Sequence, residues 1–125
     1  MQFTATYVEP YTNSITANVM FADPETNPDQ PSVLSFSRPI EPGFEDSNYY
    51  FEINDQSNGS YGGLEMIRLT RSSIEVRLEP RIVEKFGEED FREVRAEFNV
   101  TYEVYQSVLE TIKRIFDGYD ILQVA

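Results

Sequence analysis

The side chains of this chain that could do chemistry are carboxylates. Of 125 residues, 22 are Asp or Glu against 10 Lys or Arg, and neither histidine nor cysteine occurs, so the formal net charge is −12. Histidine is the usual proton carrier near neutral pH and cysteine the softest nucleophile, so acid–base or covalent work would fall to carboxylates, serine or lysine. Two groups have suggestive spacing, Glu52 with Asp55 and the run Glu88-Glu89-Asp90. Either could serve a glycosidase if two carboxyls stood about 5 to 10 Å apart across a cleft and burial raised the pKa of one. In a chain this acidic, neighbouring carboxylates more commonly form a solvated face. A small carboxylate-based hydrolase is therefore the alternative to a non-catalytic protein that acts by binding, and an acidic structural or assembly subunit is a third reading. No catalytic residue is assigned.

Ligand motifs fail at the level of their letters. Asp55-x-Ser57-x-Gly59 opens like a calcium loop, but the sixth position is Ser60 instead of glycine and the twelfth is Met66 instead of glutamate. Gly62-Gly63 lacks both the GxGxxG spacing and a following helix, so it reads as close backbone packing or a bulge at a strand entry. No cofactor or metal is expected. The arginines and lysines form no run, and the net charge opposes nucleic-acid binding.

The elements that must position these residues are mostly strands. Alternation over Phe3, Ala5 and Tyr7 and over Ile15, Ala17, Val19 and Phe21 predicts two half-buried strands. Five prolines between Ala22 and Gly43 leave room there for one short strand, Val33 to Ser37. Tyr49, Phe51 and Ile53 predict an inward-facing set with Tyr50 and Glu52 on the other side; Asp55 to Gly63 reads as a loop or wide hairpin. Leu64 to Thr70 and Ile74 to Leu78 form a hairpin, a short helix spans Arg81 to Phe86, and Val94 to Phe98 is one more strand. From Val104 to Phe116 the period becomes helical, with Thr101 as cap, Glu103 in the first turn and Lys113 and Arg114 in the last. Ile121 to Val124 can add an edge strand.

These elements predict an α+β fold, a single antiparallel sheet of about six to seven strands with the C-terminal helix packed on one face. The length suits one domain, residues 1–125. No stretch approaches the roughly 18 apolar residues of a membrane span and no secretory signal pattern opens the chain, so a cytoplasmic location and no membrane partner are expected.

Charge is distributed unevenly along the chain. Residues 1–63 hold nine acidic residues and one basic one, Arg38, whereas residues 64–125 hold thirteen and nine. Within the acidic half, Phe44 to Glu52 interleaves aromatics with carboxylates, a combination that offers contact area together with attraction for a basic partner. Asp46, Tyr50, Glu52 and Asp55 are the candidate partner-binding residues.

The chain resembles the immunity protein 10 family of bacterial polymorphic toxin systems. The resemblance is carried by the strand ending Phe21-Ala22-Asp23, by Tyr50-Phe51-Glu52-Ile53 leading to Asp55-Gln56, by the turn Tyr61-Gly62-Gly63, and by Leu69-x-Arg71-x-x-Ile74-x-Val76-x-Leu78. It runs from about Phe3 to Phe116 and adds Gln56 and Tyr61 to the candidate partner-binding set. It implies a non-enzymatic protein that binds and neutralises a cognate toxin domain. Many such toxins attack nucleic acid and are basic, which agrees with the acidity of this chain. The oligomeric state is open.

Overall fold

The computed structural model describes residues 1–125. Strands β1 (Gln2–Ala5), β2 (Tyr7–Thr12), β3 (Thr16–Asp23), β4 (Ser32–Pro39), β5 (Tyr50–Ile53), β6 (Asp55–Tyr61), β7 (Leu64–Thr70) and β8 (Ser73–Leu78) lead to helix α1 (Pro80–Phe86). A 3₁₀ turn (Glu89–Arg92), β9 (Glu93–Phe98), α2 (Tyr102–Ile115) and β10 (Leu122–Val124) complete the chain.

The α+β class is as expected, but the single sheet is not. There are two five-stranded sheets, a first ordered β1-β9-β8-β7-β10 and a second ordered β2-β3-β4-β5-β6. The division arises at Thr6. Alternation read straight through places Tyr7 with Phe3 and Ala5, yet Ala5 is buried, Tyr7 is exposed and the half-buried set resumes at Val8. A slip of one residue inverts every later side chain. The Thr6 amide donates to the Ala22 carbonyl at 3.0 Å, so the chain leaves one sheet and enters the other without a loop.

Three further expectations are corrected. The proline-rich region holds an eight-residue central strand, because β4 pairs with β3 on one side and β5 on the other, and Pro39 falls at its end, where a missing donor is tolerated. Asp55–Tyr61 is a strand, since pairing with β5 overrides its polar composition and the edge position leaves those side chains in water. The first sheet is mixed: β1 pairs with β9 and β10 with β7 in parallel.

Other elements form as their residues dictate. The β7–β8 hairpin, α1 closed by Gly87 at φ 71°, and the C-terminal edge strand are all present. Thr101 caps α2 by accepting from the Val104 amide at 3.2 Å. The inner faces of both sheets share one apolar cluster, in which Phe21 of β3 meets Phe98 of β9 at 5.4 Å between ring centroids. Helix α2 lies against β2, β3 and β4, burying Tyr105, Val108, Ile112 and Ile115. Phe116 closes its far end against Phe36 and Tyr49.

Arg38 fixes that end. Its guanidinium donates to the Ile115 and Asp117 carbonyls at 3.0 and 2.6 Å and to the Ser47 carbonyl at 3.0 Å, and lies 5.3 Å from the Tyr119 ring centroid. The last carbonyls of a helix carry partial negative charge, so a cation is favoured there. The one basic side chain of the first 63 residues thus serves the fold.

Candidate functional site

The outward face of the second sheet is built by period-two alternation and strand register. One row across it reads Tyr11, Asn18, Ser37, Tyr50 and Tyr61; the next reads Glu9, Met20, Ser35, Glu52 and Gly59. Long side chains stand on β2 and β5, while β3 and β4 between them contribute Asn18, Ser35 and Ser37, which are short. The result is an open trough of about 400 Å³ with Glu9 and Tyr11 along one side and Tyr50 and Glu52 along the other. Met20, 40% exposed, supplies an apolar patch between them.

The β5 wall is held rigidly. The Tyr50 hydroxyl donates to Glu52 Oε1 at 2.8 Å, and its ring lies 4.8 Å from that of Tyr61. A Cβ on Gly59 would come within 2.1 Å of the Tyr50 hydroxyl oxygen, so only glycine there lets the ring lie down over β6. Desolvation, followed by the hydrogen bond to Glu52, pushes the Tyr50 hydroxyl up to about 12. Tyrosine 50 therefore stays a neutral donor and Glu52 its acceptor.

Of the residues singled out from sequence, the structure brings Tyr50, Glu52 and Tyr61 together on this face. Tyr61 is 72% exposed. Asp55 begins β6 at the tight turn through Asn54, whose φ is 69°. Its carboxylate accepts from both the Ser57 hydroxyl and the Ser57 amide, and the hydroxyl bond chiefly holds it below the usual carboxylate range. Gln56 follows it, exposed on the edge strand, and Asp46 is exposed in the segment between β4 and β5 that Arg38 ties to the end of α2. Neither Asp46 nor Asp55 nor Gln56 lines the trough.

Sequence reasoning missed the opposite wall, Glu9 and Tyr11, and the floor residues Asn18, Met20, Ser35 and Ser37. Tyr7-x-Glu9-x-Tyr11 carries the same alternation of aromatic and carboxylate as Tyr50-x-Glu52, and it becomes readable once the phase break at Thr6 is recognised.

Electrostatically the two sheets differ. On the outward face of the first sheet Arg77 pairs with Glu93 at 3.0 Å, Arg92 with Glu65 at 3.2 Å, and Arg95 with both Glu75 and Glu97 at 3.4 Å. Such exposed pairs add little stability, but they cancel the local field. No carboxylate of the first 63 residues has a cationic partner. Glu9 and Glu52 stand about 14 Å apart at the backbone, three strand spacings, with Met20 and Ser35 between them. The trough therefore presents a broad negative surface walled by tyrosines.

Residues 4–106 match the model of a protein family described as Immunity protein 10. No curated protein and no solved structure matches the chain.

Proposed function

The chain belongs to the immunity protein 10 family, and from that premise we propose that it captures a basic toxin domain on the outward face of its second sheet. Membership implies an inhibitor that neutralises a cognate toxin and acts by binding. The observation that carries the reading of the partner and the face is the segregation of charge: the carboxylates around the trough have no cation of their own, whereas those of the first sheet are paired. A toxin that acts on nucleic acid needs a cationic surface to hold its substrate, and an acidic inhibitor can occupy that surface. Tyr50, Glu52 and Tyr61 then supply the centre of the contact. Asp46, Asp55 and Gln56 lie away from the trough; the two carboxylates contribute through long-range attraction, and the uncharged Gln56 only through a direct hydrogen bond.

The test is a pair of measurements with the toxin domain encoded beside this chain. Co-expression should rescue cells from it. Asp55→Asn should lower the association rate and flatten its dependence on salt, because carboxylates at a rim mainly speed encounter, and Glu52→Gln, nearer the centre, should do so and also raise the dissociation rate. Tyr50→Ala should mainly raise the dissociation rate, by a factor corresponding to about 2 kcal/mol or more for an anchoring aromatic. Parent-like kinetics in all three, with loss of binding on charge changes at Glu75, Arg77 or Arg95, would move the interface to the first sheet.

A further inference from the structure

The geometry points to the trough as a receptor for one arginine side chain of the partner, a refinement that rests on the proposed function above. Arginine differs from other cations in being planar, weakly hydrated and able to give a carboxylate two parallel hydrogen bonds while stacking on an aromatic ring. Each of those properties has a counterpart on this face. Tyr11, 52% exposed, and Tyr50 offer rings on opposite walls, and Met20 offers apolar contact for an aliphatic stem. Glu9 and Glu52 offer carboxylates that no cation of the chain satisfies.

The shape fits a projecting group better than a flat surface. Asn18, Ser35 and Ser37, with Met20 beside them, between the long side chains of β2 and β5 leave a hollow of about 400 Å³, large enough for a loop headed by one long side chain. The β5 wall is already set, with Tyr50 held between Glu52, Gly59 and Tyr61, so little order has to be created on binding. A second copy of this chain is disfavoured as occupant, because each copy carries a net charge of −12 and Arg77 and Arg95 of the first sheet are already paired.

The experiment uses the full chain and three short blocked peptides that differ only in a central arginine, citrulline or lysine, titrated while the Met20 methyl and tyrosine ring signals are followed by NMR. Citrulline keeps the shape of arginine without the charge. The arginine peptide should shift Met20, Tyr11 and Tyr50 ahead of all other signals. Citrulline should fail to do so, and lysine should bind roughly tenfold more weakly or worse. Glu9→Gln and Glu52→Gln should each weaken the response, and Tyr50→Phe, which keeps the ring, should retain more of it than Tyr50→Ala. Shifts spread evenly over the exposed carboxylates, an equal response to citrulline or lysine, or broadening of Met20 with protein concentration alone would each overturn the proposal. Rescue from the toxin is scored separately: protection by the parent without a localised arginine response removes only the receptor, and a localised response without protection removes only the proposed toxin partner.

Discussion

At the scale of single residues, Tyr50 couples conformation to ionisation. Its hydroxyl keeps its proton to about pH 12 in the folded chain, against about 10 when unfolded. A group whose folded pKa is raised in this way contributes stability below about pH 10 that disappears as the pH rises toward 12. Ultraviolet titration should therefore reveal Tyr50 ionising late, alongside Tyr49, whose hydroxyl burial also pushes up, and Glu52→Gln should bring Tyr50 earlier by removing the negative charge beside its hydroxyl. Gly59→Ala should have the same effect by another route, since its methyl would occupy the space of the Tyr50 hydroxyl and expel the ring. Unchanged titration in both variants would mean that Tyr50 is not held as described. Gly63 is the complementary case, a residue that the fold alone needs. It sits at φ 97° with Ile82 Cγ1 2.5 Å from where a Cβ would be, so Gly63→Ala should cost more than about 1 kcal/mol in a urea melt while leaving the trough intact.

At the scale of elements, α2 is the apolar lid on the back of the site-bearing sheet. Ile112 is fully buried and Leu109 only partly so. Ile112→Ala should cost about 2 to 5 kcal/mol and Leu109→Ala distinctly less, read from urea midpoints. This helix was legible in the sequence because its stripe repeats at helical spacing between a capping Thr101 and basic residues in the last turn. The β7–β8 hairpin was legible because Leu69 and Ile74 keep phase across a short link. Other elements were hidden for identifiable reasons. Thr6 changes the phase of alternation without any proline or glycine to announce it, and with it the division into two sheets and the outward placement of Tyr7, Glu9 and Tyr11. Strand β6 has the composition of a loop, and only its pairing with β5 makes it extended. Tyr50 and Glu52 could be found because alternation within one strand places them; Glu9 and Met20 could not, because their meeting with Glu52 depends on the register of three strand pairs.

At the scale of the whole molecule, the net charge of −12 is concentrated where it is least compensated. Self-repulsion of this kind opposes the compact state and is screened by salt. Moderate sodium chloride should therefore raise the urea midpoint at neutral pH even as it slows capture of the proposed basic partner; a midpoint that falls instead would mean the ion pairs of the first sheet dominate. The two sheets also differ in how the chain visits them. The second is a meander in which every strand pairs with its neighbour in sequence, whereas the first joins Phe3 to Ala96 and cannot close until nearly the whole chain exists. Pairings between distant segments pay their loop entropy before any contact repays it, and they form late. During synthesis the strands that carry Tyr11 and Tyr50 emerge well before β9 and α2, whose side chains share the core behind them. The outward face of the second sheet thus has its full backing core only once the last third of the chain, with β9 and α2, has been made.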